Sequence, residues 1–195
     1  MSFEPRSEAD VLRLIEEYPL AWVVCSSGAG FGATPLPLLA ETDAGGRVSA
    51  LIGHFASSNP QVALLRAAPR ATILFSGPQG YISPELVSQP RWAPTWNYAT
   101  AQFDVEVEFR PEENDAALEQ LVTRMERDRR DPWTIARMGE RYAQLVSRII
   151  AFRAHVRTGK GRFKLGQDES PRTLSELLAG LDNPELVRWM KDFNS

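Results

Sequence analysis

The residues best equipped to hold a ligand lie in Arg91-Trp92-Ala93-Pro94-Thr95-Trp96-Asn97-Tyr98-Ala99-Thr100, where two indoles, a phenol and a carboxamide precede a strand. Large rings beside a hydrogen-bonding amide suit a flat ligand with polar edges. Rings that plug the end of a barrel would use the same residue types. A second stretch, Thr158-Gly159-Lys160-Gly161-Arg162-Phe163-Lys164-Leu165-Gly166-Gln167, carries three cations and three glycines directly after a strand. Glycine lets the backbone approach an anion and Arg or Lys neutralises it, while a basic turn without a ligand is the competing reading. In a third stretch, Gly53-His54-Phe55-Ala56-Ser57-Ser58-Asn59-Pro60-Gln61, a strand runs into a helix with Asn59 as N-cap and Pro60 at the first helical position. Amides at such a start, near His54, Ser57 and Ser58, can face a phosphate, although most capped helices hold no ligand.

Chemistry that announces itself by motif is absent from the sequence: it has no Walker loop, dinucleotide glycine fingerprint or nucleophile elbow. Asp104, Glu106 and Glu108 alternate along one strand face, with no partner that would split their pKa values into acid and base roles. No side chain is therefore assigned a catalytic role, and any reaction is expected to be carried by a cofactor. Two histidines and one cysteine are too few for a protein-only zinc site, and no metal is expected. Cys25, inside the apolar run Leu20 to Cys25, reads as a buried inert thiol, and a lone cysteine excludes a disulfide within the chain.

The elements that must position these residues follow from periodicity. Ser7 and Asp10 ahead of Val11, Leu12, Leu14 and Ile15 predict a capped helix ended by Pro19. Strands are predicted over 20–26, 33–40 and 47–54, with a turn at 28–32, and Pro35 and Pro37 place the second strand at a sheet edge. A helix follows to Pro69, then a strand over 71–76 and a hairpin turn at Gly77-Pro78 leading into 79–84. From Ala101 to Phe109 apolar and polar residues alternate, the pattern of a strand with one dry face. Leu118, Leu121, Val122 and Met125 predict a helix, 133–147 a second one and 149–156 a strand. Ser170-Pro171 and Asn183-Pro184 each open a short helix.

With 195 residues, 43% of them hydrophobic, the chain can bury the core of one domain with appendages. A net charge of −3 with both signs interspersed gives no field for nucleic acid or a membrane surface. The N-terminal residues show no leader pattern and no window is long and apolar enough to span a bilayer, so a soluble, cytoplasmic protein is expected.

The runs 53–61 and 163–167, together with Gly77-Pro78-Gln79-Gly80-Tyr81-Ile82-Ser83-Pro84 and Pro94-Thr95-Trp96-Asn97-Tyr98, resemble in order and spacing the PaiB-like FMN-binding negative transcriptional regulators. The resemblance extends from about Ala33 to Arg172. It implies an α+β fold, mainly antiparallel β: an FMN-binding split β-barrel of the flavin-reductase type with flanking helices over residues 1–170. A C-terminal helical extension over 171–195 would pack on that domain or on a partner subunit. It further implies a homodimer with FMN at the interface. On that picture Thr34, His54, Ser58, Asn59 and Gln61 meet the flavin or its phosphate, Tyr81, Ile82 and Ser83 line the ring, and Trp96 and Asn97 border it. Lys164 and Gln167 reach the cofactor or the partner near it, and the basic stretch adds Arg162. Two places depart from the family pattern: Pro35 replaces a histidine, and Asp168 replaces an amide after Gly166-Gln167.

Two functions follow from the resemblance. One is a flavin-dependent oxidoreductase with a reduced nicotinamide as electron donor. The other is a non-catalytic FMN-binding negative transcriptional regulator or ligand sensor acting through a partner. Direct operator binding is not expected, because the sequence lacks a convincing helix-turn-helix and is acidic overall. A haem held by His54 or His155 is a third, lesser alternative.

Overall fold

Alternating patterns set the longest strand pairings, and these pairings extend further than the patterns do. The computed structural model describes residues 3–28 and 30–195; Met1, Ser2 and Ala29, the last within the turn expected at 28–32, lie outside them. Among the described residues the chain forms α1 (Glu8–Glu17), β1 (Leu20–Ser27), β2 (Gly30–Pro37), β3 (Leu39–Thr42), β4 (Val48–Ala56), α2 (Gln61–Ala67) and β5 (Arg70–Ile82). It continues with β6 (Thr95–Phe109), α3 (Asn114–Glu126), α4 (Arg141–Val146), β7 (Ile149–Lys164), α5 (Pro171–Gly180) and α6 (Pro184–Phe193).

The seven strands of the described residues make one antiparallel sheet in the order β2-β1-β5-β6-β7-β4-β3. Its outermost strands, β2 and β3, are consecutive in the chain and joined through Leu38 alone, which is fully buried and donates its N–H to the Pro19 carbonyl at 2.9 Å. The sheet must therefore roll until its edges meet, without closing the ladder between them. That is the split barrel expected from the resemblance, and β2 with its two prolines is the edge strand predicted for it.

Three long strands correct the sequence reading. Gly77-Pro78 does not turn a hairpin: β5 runs straight through, and the dipeptide forms a bulge between Ser76 and Gln79. A Cβ at Gly77 would lie 2.3 Å from Leu14 Cδ1 and 3.4 Å from the Ala99 carbonyl, so glycine lets helix and neighbouring strand close over the bulge. β6 starts at Thr95 instead of Ala101, because Thr95 to Tyr98 pair with Ile82 to Gln79 beyond that bulge. β7 continues past Val156 to Lys164, so the basic glycine stretch is mostly strand and not a turn. Its glycines share the inner face with Phe163, where Phe103 and Pro5 fill the space that side chains would need.

The helix expected over 133–147 is broken into a 3-10 turn at Ile135–Met138 and the short α4, because Gly139 adopts a left-handed φ of +57°. The capped ends of α1, α5 and α6 form as predicted. Asp10 accepts the Ser7 N–H at 3.2 Å, Ser170 Oγ that of Thr173 at 3.2 Å and Asn183 Oδ1 that of Leu186 at 3.1 Å.

One core joins the inner face of the sheet to the helices. Leu14 and Ile15 of α1, Val62 and Leu65 of α2, and Trp189 and Met190 of α6 pack with Ile73, Phe75, Phe103 and Phe163. α3 covers the opposite face of β4 and β7, where Ala117 meets Ile52 and Ala151. No helix among the described residues is long and apolar enough to cross a membrane.

Candidate functional site

The register of the central strands builds four rows of side chains across the outer face of the sheet. Trp22 of β1 pairs with Leu74, Leu74 with Gln102 and Gln102 with Lys160. In the next row Ser76, Thr100 and Arg162 are neighbours, then Gln79, Tyr98 and Lys164, and last Tyr81 and Trp96. Because side chains alternate along a strand, all of these point away from the core that holds Ala21, Val23, Ile73, Ala99, Ala101 and Phe103. The face thus grades from rings and apolar side chains on β1 and β5, through hydroxyls and amides, to a line of cations on β7. Trp22, Tyr81 and Trp96 are about half exposed, at 51%, 53% and 49%. Part of this face is a cleft of about 900 Å³ between Trp22, Leu74, Thr100, Gln102, Lys160 and Arg162, with Phe3 at its margin.

Local hydrogen bonds aim the polar groups. Arg162 Nε donates to Tyr98 Oη at 2.8 Å, Lys164 Nζ donates to Thr95 Oγ1, and Trp96 Nε1 donates to Gln79 Oε1 at 2.6 Å. The Tyr81 and Trp96 rings lie 5.9 Å apart at 58°. Carboxylates further along β6 are already engaged. Asp104 accepts from Thr72 at 2.9 Å and Thr158 at 3.2 Å, Glu106 pairs with Arg157, and Glu108 meets His155 at 3.0 Å and Arg110 at 2.9 Å. The hydrogen bonds from Arg157 and from His155 hold Glu106 and Glu108 below the usual carboxylate range. Among the described residues no group of three or more His, Cys, Asp or Glu is placed to hold a metal ion.

Of the residues expected at the site, the structure gathers Tyr81, Trp96, Arg162 and Lys164 on this face. Asn97 turns the other way: it is buried against α6, with Nδ2 3.6 Å from Met190 Sδ. Ile82 is core, and Ser83 accepts the Glu85 N–H at 3.2 Å as the cap of a 3-10 turn. Gln167 folds back on its own backbone, donating to the Phe163 carbonyl at 2.5 Å and accepting from the Leu165 N–H at 2.7 Å.

Thr34, Asn59 and Gln61 form a network on the inner side of β1 and β2. Thr34 Oγ1 donates to Gln61 Oε1 at 2.7 Å and accepts from Asn59 Nδ2 at 3.1 Å, while Gln61 Nε2 donates to the Val23 carbonyl at 2.8 Å. Asn59 Oδ1 takes the Gln61 N–H at 2.9 Å, so the first amide of the seven-residue α2 is satisfied within the chain. Ser58 is exposed in the preceding turn. His54 sits on the α3 side of β4 beside Ala151; its Nδ1 is buried without a hydrogen-bond partner, and burial lowers its pKa.

Sequence reasoning did not single out Trp22, Leu74, Ser76 and Gln102, and it named Tyr98, Thr100 and Lys160 only as members of the two candidate stretches, without a role of their own. The signal was there in the two-residue spacing of Lys160, Arg162 and Lys164, which puts three cations on one face once the stretch is read as strand. Pro35, where the family pattern has histidine, pairs directly with Trp22.

A rolled antiparallel sheet whose edge strands meet without pairing defines a split barrel, here with rings at one side of its open outer face and cations at the other. A family model described as "Putative FMN-binding domain" matches residues 1–158, and the chain belongs to that family. The resemblance to PaiB-like proteins extends to a curated relative, "Protease synthase and sporulation protein PAI 2" of Bacillus subtilis (strain 168). That protein is 26% identical over 137 residues, covering 69% of this chain and 66% of the relative, so the chain spans just under two thirds of its length. Among solved structures, the FAD and heme binding protein from Mycobacterium smegmatis superposes with a TM-score of 0.64 at 14% identity, over 93% of this chain and 82% of that one. The flavocytochrome Anf3 from Azotobacter vinelandii gives 0.62 at 12% identity, over 83% and 69%. At such identities these two speak for the fold alone.

FMN is the cofactor that the family assigns, and the donor set fits it. Trp22 and Leu74 offer an apolar wall for a flat ring, Ser76, Thr100 and Gln102 offer partners for a hydroxylated chain, and Lys160 and Arg162 can neutralise a phosphate.

Proposed function

We propose that the protein is an FMN-dependent oxidoreductase of the flavin-reductase type, a cytoplasmic homodimer that takes electrons from a reduced nicotinamide. The observation that carries this reading is the open, graded face: half-exposed Trp22 and Trp96 flank hydroxyls and cations across one register-fixed surface. When bound, FMN supplies the hydride and electron chemistry.

The chain's own residues bind and orient. Lys160 and Arg162 neutralise the phosphate, and Tyr98 fixes the guanidinium plane by accepting from Arg162 Nε at 2.8 Å. Ser76, Thr100 and Gln102 set the position of the polyol, Trp22 and Leu74 exclude water from one side of the ring, and Tyr81 with Trp96 borders the approach of the donor. Leu20, Trp22 and Phe31, exposed at 61%, 51% and 70%, form an apolar margin that a second copy would cover.

A second reading, a flavin-binding regulator or sensor acting through a partner, is supported by the PAI 2 relative. The helix pair α5 and α6 has the short connection of a helix-turn-helix, but α6 buries Leu186, Trp189, Met190 and Phe193. Its outward Arg188 and Asp192 are tied to Glu17 and Arg13, which argues against a base-reading helix. Anaerobic addition of NADH or NADPH to FMN-loaded protein separates the two readings. Bleaching of the flavin bands at a rate that saturates with nicotinamide supports the reductase; flavin that stays bound and oxidised supports the sensor.

A further inference from the structure

Among the described residues the β4-side edge of β7 has no strand partner beyond His155, where its pairing with Ala50 ends. The N-terminal segment takes that place. The Phe163 N–H donates to the Phe3 carbonyl at 2.7 Å, and Pro5 sits under Gly161, where a Cβ would lie 2.3 Å from its ring. Residues 3–5 therefore cross the edge of the sheet from the outer to the inner face. On the outer face the Phe3 ring lies 5.2 Å from the Arg162 guanidinium carbon and 5.8 Å from Lys164 Nζ, and Phe3 and Glu4 form the margin of the cleft that Trp22, Thr100 and Lys160 line.

The order across this face is ring wall, hydroxyls, cations, strap. Three strand spacings of about 4.8 Å each separate Trp22 from Lys160. A flavin laid in that direction would end its phosphate at the cations, and a group attached to the phosphate and continuing in the same direction would meet Phe3 and Glu4. We infer that the strap formed by Phe3 and Glu4 is a specificity element that admits a flavin ending in a phosphate monoester and rejects one extended by a second phosphate and a nucleoside. Phe3 closes the edge sterically. The inference rests on the FMN reading of the same face and adds a selectivity that this reading does not contain.

The test is a fluorescence titration of flavin-free protein with FMN, FAD and riboflavin, for wild type, Phe3→Ala and Gly161→Ala. The second variant dislodges the strap from the opposite face by displacing Pro5. Thermal unfolding of each protein confirms that it is folded. The expected wild type prefers FMN to FAD by tenfold or more, and both variants narrow that ratio at least threefold by tightening FAD, with riboflavin binding unchanged. FMN binding with a ratio that neither folded variant alters, or a wild type that holds FAD as tightly as FMN, overturns this inference and leaves the FMN site standing. A wild type that binds none of the three overturns both.

Discussion

Trp96 and Asn97, adjacent in the chain, face opposite sides of β6: the indole stands half exposed beside Tyr81, and the carboxamide is buried under Met190 of α6. The Thr-Trp-Asn-Tyr motif therefore serves two surfaces. Trp96 and Tyr98 belong to the outer face of the sheet, and Thr95 accepts a hydrogen bond from Lys164. Asn97 belongs to the packing of the C-terminal helix.

Tyr98 is expected to act through Arg162. Replacing Tyr98 by Phe removes the acceptor at 2.8 Å while keeping the ring. One hydrogen bond of about 1 kcal/mol corresponds to roughly a fivefold loss of FMN affinity with little change in thermal stability. Equilibrium titration with FMN, alongside riboflavin as the ligand without phosphate, checks that the loss is confined to FMN.

Glu17 clasps the two ends of the chain. It accepts from Arg13 at 2.8 Å, from Arg188 at 2.7 and 3.1 Å, and from Trp189 Nε1 at 2.9 Å. Burial alone would raise its pKa, but the hydrogen bonds from Arg188, Arg13 and Trp189 outweigh burial and bring it down from 4.5 to about 2. A carboxylate depressed in the folded state contributes stability that is complete above its unfolded value and fades as pH falls from 4.5 towards 2. Glu17→Gln is expected to lower stability at neutral pH by about 1 to 2 kcal/mol, discounted for the solvent that reaches the pair. Denaturant melts of both proteins across that acid range should converge as pH falls.

The inner network of Thr34, Asn59 and Gln61 is expected to govern stability and not the ligand. Gln61→Leu removes the side-chain donor to the Val23 carbonyl and the acceptor for the Thr34 hydroxyl, which keeps only its bond from Asn59. A cost of about 1 to 3 kcal/mol follows from unpaired buried groups. FMN affinity measured well below the melting temperature should stay within about twofold of wild type, a shift too small to reflect a lost charge-assisted contact.

Gly77→Ala tests the bulge in β5. The added methyl would meet Leu14, itself fully buried, so the helix has to shift. Overpacking of this kind costs about 1 to 3 kcal/mol, readable as a lower denaturation midpoint with an unchanged slope.

Where a residue's neighbours are local, the sequence was a sufficient guide. The caps at Ser7, Ser170 and Asn183, the edge character of β2 and the dry face of β6 all depend on residues a few positions apart. Long-range pairing was harder to read. Gly77-Pro78 carries the composition of a turn, and only the partner residues Tyr98 and Thr100 make it a bulge. Likewise Lys160, Arg162 and Lys164 look like a flexible basic loop until β6 is placed beside them. Trp22 could be assigned to the outer face by its alternation with Ala21 and Val23, but its meeting with Leu74 depends on the strand order β1-β5, which no local pattern encodes.

The central claim is that the outer face of β1, β5, β6 and β7 binds FMN through the cations of β7. Its most direct test is a titration of FMN into the flavin-free double variant Lys160→Ala, Arg162→Ala, compared with wild type, with thermal melts to show that both are folded. Charge-assisted contacts of about 1.5 to 3 kcal/mol each predict a loss of FMN affinity of about a hundredfold or more, with riboflavin affected far less. A folded double variant that binds FMN as tightly as wild type would contradict the placement of the phosphate and move the cofactor off this face.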